Sequence, residues 1–84
     1  MELKRLRLGT MSKLSPIKAR ELIQLLENSG LVQVRQKGNH IRLIHKDGRK
    51  TSVPVHSGEK VGKGLLRKIL RDCNISRKEF EKLR

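Results

Sequence analysis

LVQVRQKGNHIRLIHKDGRKTSVPVH, residues 31–56, contains three short runs of alternating apolar and polar residues, separated by two glycine turns. Val32 and Val34 are the alternating apolar positions of the first run (31–36), Ile41 and Leu43 of the second (40–45), and Val53 and Val55 of the third (50–56). A period of two puts every second side chain on one face, so each run reads as a half-buried strand. Lys37-Gly38-Asn39 and Lys46-Asp47-Gly48 are short turns, and a parallel pair would need a long helical crossover. The segment therefore predicts a three-stranded antiparallel meander.

The second turn sets the register. A two-residue Asp-Gly loop would pair Ile41 with Pro54 and Leu43 with Ser52, which divides the apolar residues between two faces. A type I turn followed by a glycine bulge instead predicts Ile41 opposite Val55 and Leu43 opposite Val53. In that register His40 lies opposite His56 on the face away from the core, with Arg42 and Pro54 beside them.

Helical signals flank the meander. Ser15-Pro16 reads as a helix entrance, and Ala19, Leu22, Ile23 and Leu26 recur on one face, which predicts a helix over 16–28. Gly30 supplies its stop, with Leu31 folding back onto Leu26. After the glycine-rich connection GEKVGKG, residues 58–64, the helical period returns. Leu65, Leu66, Ile69 and Leu70 form one face and Lys63, Arg67 and Arg71 another. Ser76-Arg77-Lys78-Glu79 is a capping box opening a last short helix with Phe80 and Leu83. The order α-β-β-β-α-α predicts a two-layer α+β domain, an antiparallel sheet covered on one side by helices.

Composition narrows the partners. The 84 residues make one small domain, with 21 basic against 8 acidic residues and a formal charge of +13. Such a field draws polyanions, foremost nucleic acid. No apolar run approaches the length of a membrane span. Residues 1–11 read as a basic extension and 12–84 as the domain. The lone Cys73 excludes an internal disulfide and suits a reducing cytoplasm.

Among these cations stand two histidines at strand ends, His40 and His56. Imidazole exchanges a proton near neutrality, and here it would do so beside an anion. His40, His45 and His56 are not at zinc-ligand spacing and no paired carboxylates accompany them, so neither a metal nor a cofactor is expected. GEKVGKG departs from P-loop spacing; it reads as a basic loop bringing Lys60 and Lys63 to a phosphate. RNA carries its own nucleophile, the 2′-hydroxyl, so a protein that cleaves it need only move protons and stabilise charge. His40, with Lys37 and Arg42 nearby, meets that minimum. With Phe80 the one aromatic residue, base stacking has no platform, so binding should rest on phosphate and sugar and weaken with salt.

KGNHIRLIHKDGRKTSVPVHSGEKVGKGLLRKILRDCNISRKEF, with the preceding helix, resembles the HicA family of small toxins. The resemblance covers essentially residues 12–84. It implies an α-β-β-β-α fold like that of double-stranded RNA-binding domains. It also implies an mRNA-cleaving toxin that a HicB-like antitoxin neutralises. The family's catalytic histidine follows a glycine and a small polar residue at the start of the second strand, a position held here by His40 after Gly38 and Asn39. Asn39 stands where many members have Ser or Thr. The Val-Pro-Val-His run is matched by Val53, Pro54, Val55 and His56, and the helix-opening glycine by Gly64.

The reading is a metal-independent endoribonuclease with His40 as general acid or base. Lys37, Gly38, Asn39, Arg42, His56, Lys60 and Lys63 would contact RNA. The expected free form is a monomer or weak dimer, and the expected complex is one with an acidic antitoxin. Two alternatives are a non-catalytic RNA-binding module and a helix-turn-helix DNA-binding regulator built from residues 65–83.

Overall fold

The computed structural model describes residues 14–55 and 60–84. The expectations for the basic extension and for His56 fall outside the described residues. In chain order the elements are β1 (Ile17–Lys18), α1 (Ala19–Asn28), β2 (Leu31–Lys37), β3 (His40–His45), β4 (Lys50–Pro54), β5 (Lys60–Val61), α2 (Lys63–Asp72) and α3 (Arg77–Leu83). The fold is α+β: a three-stranded antiparallel sheet in the order β2-β3-β4, with helices on one face and a separate β1-β5 pair.

The apolar periodicity of the helices becomes the core. Leu22, Leu26, Leu66, Ile69 and Phe80 are buried against Leu43 and Val53 of the sheet. Each such side chain contributes about 1.5–3 kcal/mol by leaving water. Leu65 departs from expectation: it is 37% exposed and outside the core. Ser76 closes the expected capping box: its Oγ accepts from the Glu79 amide at 3.0 Å, and Glu79 Oε1 accepts from the Ser76 amide at 3.1 Å.

The first helix starts later than the Ser15-Pro16 signal predicts. Ile17 and Lys18 are drawn into pairing with Val61 and Lys60, and α1 begins at Ala19 without a side-chain cap. Burial of Ile17, 1% exposed, outweighs the local capping preference. The connection read as loop thus contains a two-residue strand.

The 46–48 turn is bulged, as expected. The His45 amide donates to the Arg49 carbonyl at 2.8 Å, the Gly48 amide donates to the His45 carbonyl at 2.9 Å, and Gly48 has φ +100°. The pairing it sets, however, differs by two residues from the expected one: Ile41 faces Val53, Leu43 faces Thr51, and His40 faces Pro54. A three-residue loop closes residue 45 onto 49, which draws β4 back along β3. Because the difference is even, Ile41 and Leu43 keep their inward face.

β2 departs more. Leu31, placed just beyond the helix stop, points inward and is 2% exposed, so Val32 turns outward at 60% and Val34 at 52%. A bulge then falls between Gln33, opposite Leu43, and Arg35, opposite Arg42. Carried on unbroken, the Gln33 register would set Arg35 against inward-facing Ile41 and Lys37 against Asn39. The extra residue, Val34, moves both cations to the outer face.

Candidate active site

His40 opens β3 on the outer face of the sheet, directly after the Gly38-Asn39 turn. Gly38 has φ +59° and Asn39 a negative φ, the backbone pattern of a type II′ hairpin turn, which suits glycine at its first central position. That two-residue turn sets Lys37 opposite His40. Two pairs further along, on the same face, Arg35 faces Arg42. On the other side Arg42 faces Ser52 and His40 faces Pro54.

The hydrogen-bond phase brings these side chains close. The His45 amide donates to the Arg49 carbonyl and the Val55 amide to the Asn39 carbonyl. Alternation between those two bonded pairs makes 40/54 and 42/52 non-bonded pairs, whose Cα atoms approach to about 4.5 Å. Pro54, which has no N–H, therefore breaks no ladder bond. It sits on an edge strand with its ring nitrogen away from β3, where proline is tolerated.

Arg35, Lys37, His40, Arg42 and Ser52 line one open cavity of about 380 Å³. No Asp or Glu occurs in β2, β3 or β4. Arg35, Lys37 and Arg42 have no ion-pair partner among the described residues. Two guanidinium groups, an ammonium and an imidazole thus share one concave surface with no internal counter-charge. Such a cluster is suited to an anion supplied from outside, and arginine forks match phosphate oxygens bidentately. Among the described residues no three His, Cys, Asp or Glu side chains stand together as a metal site.

A family model described as HicA toxin of bacterial toxin-antitoxin matches residues 19–75, well over half of the chain. The chain belongs to the HicA toxin family. The match runs from the start of α1 past the end of α2, so every residue lining the cavity lies within the HicA region. The protein is a toxin of a toxin–antitoxin system. No curated protein matches the chain in sequence. No described helix is long and apolar enough to cross a membrane.

Of the residues singled out in this HicA sequence, Lys37, His40 and Arg42 line the cavity, and Gly38 and Asn39 form the turn that closes it. Lys60 lies in β5 opposite Lys18, and Lys63 opens α2; neither lines the cavity. His45 is half-buried and structural in its contacts: its Nδ1 accepts from the Asp47 amide at 3.1 Å. Arg35 and Ser52 are the lining residues that sequence reasoning missed. Ser52 alternates with buried Thr51 and Val53, a signal that was available. Arg35 depends on the bulge, which no local residue preference announces.

Proposed function

We propose that the toxin is a metal-independent endoribonuclease that cleaves mRNA at the cavity around His40. The observation that carries this reading is the carboxylate-free cluster of Arg35, Lys37 and Arg42 around an exposed imidazole. His40 acts as general base on the ribose 2′-hydroxyl, and the two guanidinium groups hold the phosphate as negative charge grows on its oxygens. Gly38 keeps the turn tight, and Asn39 adds an amide that can bond to ribose or phosphate. Lys60, Lys63 and His56 belong to the wider contact surface for RNA. Acting on mRNA, the toxin would work in the cytoplasm.

The test is cleavage of a purified RNA by the full chain in the presence of EDTA. Active protein should leave 2′,3′-cyclic phosphate ends. His40→Ala should lower the rate about 10²–10⁴-fold while RNA binding persists. If that variant cleaves as fast as the parent, His40 is not catalytic. RNA binding without cleavage by the parent protein would point to a non-catalytic binding module.

The expected antitoxin partner is a HicB-like acidic protein, and the same outer face suits it. Val32 and Val34, 60% and 52% exposed, lie beside the half-buried Ile44 and are continuous with Arg35 and Arg42. An acidic partner can cover the valines and pair the arginines together, which would close the cavity to RNA.

A further inference from the structure

Cleavage by the 2′-hydroxyl needs two proton transfers on opposite sides of the phosphorus. The attacking oxygen loses a proton, and the departing 5′-oxygen must gain one. A single imidazole cannot stand on both sides at once. Among the described residues the cavity offers few other donors. Arg35 and Arg42 keep their protons in any protein, and Ser52 has a neutral hydroxyl. Lys37 is left: an exposed ammonium directly opposite His40 across the β2–β3 ladder. Directly opposed residues have Cβ atoms about 4.5–5.5 Å apart, so their side chains can reach the two sides of one phosphate group.

We propose that Lys37 is the general acid of the reaction, an inference that rests on the endoribonuclease reading above. The 2′-oxygen forms its bond to phosphorus as His40 takes the hydroxyl proton. The bond from phosphorus to the 5′-oxygen breaks as Lys37 gives that oxygen a proton. The products are a 2′,3′-cyclic phosphate and a free 5′-hydroxyl. Imidazolium and neutral amine then return to their starting forms by exchange with water, so no other reactant enters. The Val34 bulge that moves Lys37 onto the His40 face is thereby part of the catalytic arrangement.

A bridging-sulfur substrate tests the assignment, because a thiolate leaves without being protonated. The full chain is assayed on an RNA oligonucleotide with one cleavable linkage, and on the same oligonucleotide with sulfur in place of the 5′-oxygen. Lys37→Gln should slow the oxygen substrate about 10²–10⁴-fold, yet cleave the sulfur substrate within about tenfold of the parent rate. Lys37→Arg should stay slow on oxygen, since a guanidinium keeps its proton. His40→Ala should be slow on both, since the base is still needed. Lys37 is exposed at a turn, and matching circular dichroism and melting curves will show that its variants fold.

Equal slowing of both substrates by Lys37→Gln would overturn the proposal and leave Lys37 a charge only. Parent-like cleavage of oxygen by Lys37→Arg would overturn it too, as would sulfur rescue of His56→Ala in place of Lys37→Gln. If the parent protein cleaves neither substrate, the nuclease reading itself fails, a result distinct from all of these.

Discussion

Arg35 and Arg42 stand directly opposite one another on neighbouring strands, with no carboxylate in the sheet to separate their charges. Like charges in that position cost about 0.2–1 kcal/mol. A fold has no structural use for such a pair, and an incoming phosphate does.

Arg35→Gln should therefore move stability and binding in opposite directions. The melting temperature should rise slightly, by the equivalent of about 0.2–1 kcal/mol. RNA affinity should fall, and the plot of log affinity against log salt should flatten by about 0.7 for each single-strand phosphate left without its cation. Thermal melts and filter binding over a salt series measure the two effects. Unchanged affinity would remove Arg35 from the RNA site.

Gly30 ends α1 with φ +106°, and a Cβ built there would lie 2.7 Å from His45 Nε2. Gly38 also has positive φ, at +59°, but open space around it. Gly30→Ala should thus cost more than Gly38→Ala, about 1–3 kcal/mol from backbone strain before the clash is counted. Urea denaturation gives the ranking. Adding His45→Ala should return part of the Gly30→Ala loss but leave the strain.

The Asp47 carboxyl is held below its ordinary value of 3.8, first by the Arg49 side chain and then by the Arg49 amide, with the charge of His45 a smaller contribution. Arg49 Nε donates to its two oxygens at 2.8 and 3.0 Å. A depressed folded-state value adds stability that is complete above the unfolded value and disappears as pH falls through the folded one. Asp47→Asn should lower the melting temperature at pH 6, and the difference between the two pH curves should shrink as the pH falls below about 4. Parallel curves down to pH 2 would show that the Arg49 contact contributes nothing.

Burial pushes the Cys73 thiol up to about 11, with Asp72 adding to the rise and Arg49 opposing it. The side chain is fully buried at the C-terminal end of α2. At pH 8 about a thousandth of such thiols is ionised, so a thiol reagent should react only as fast as the protein opens. Labelling should be slow in buffer and complete within the mixing time in denaturant. Rapid labelling of folded protein would contradict this packing.

Where chemistry is local, the sequence was readable. Gly38 and Gly48 mark their turns, Ser76 and Glu79 close their capping box, and the alternation of Ile41 with Leu43 finds the inner face. Elements made by distant partners were hidden. Two residues cannot show a period, so β1 and β5 left no trace, and their pairing displaced the start of α1. The facing of β4 slipped by two residues because alternation fixes parity alone, and parity is the same at every even shift. The site divides the same way. Lys37, His40 and Arg42 surround one turn and were found together, whereas Arg35 reaches them through an irregularity in β2.

That irregularity is what the chain length between Gly30 and Gly38 requires, because unbroken alternation from inward-facing Leu31 would put Lys37 on the inner face as well. Deleting Val34 would close the bulge into a regular strand and leave Arg35 opposite Arg42 and Lys37 opposite His40, so the cavity would keep its cations. A one-residue gap at this position in an alignment would thus mark a relative that keeps this arrangement of cations without the bulge. The spacing between two glycines can be scored in any new sequence before a structure exists.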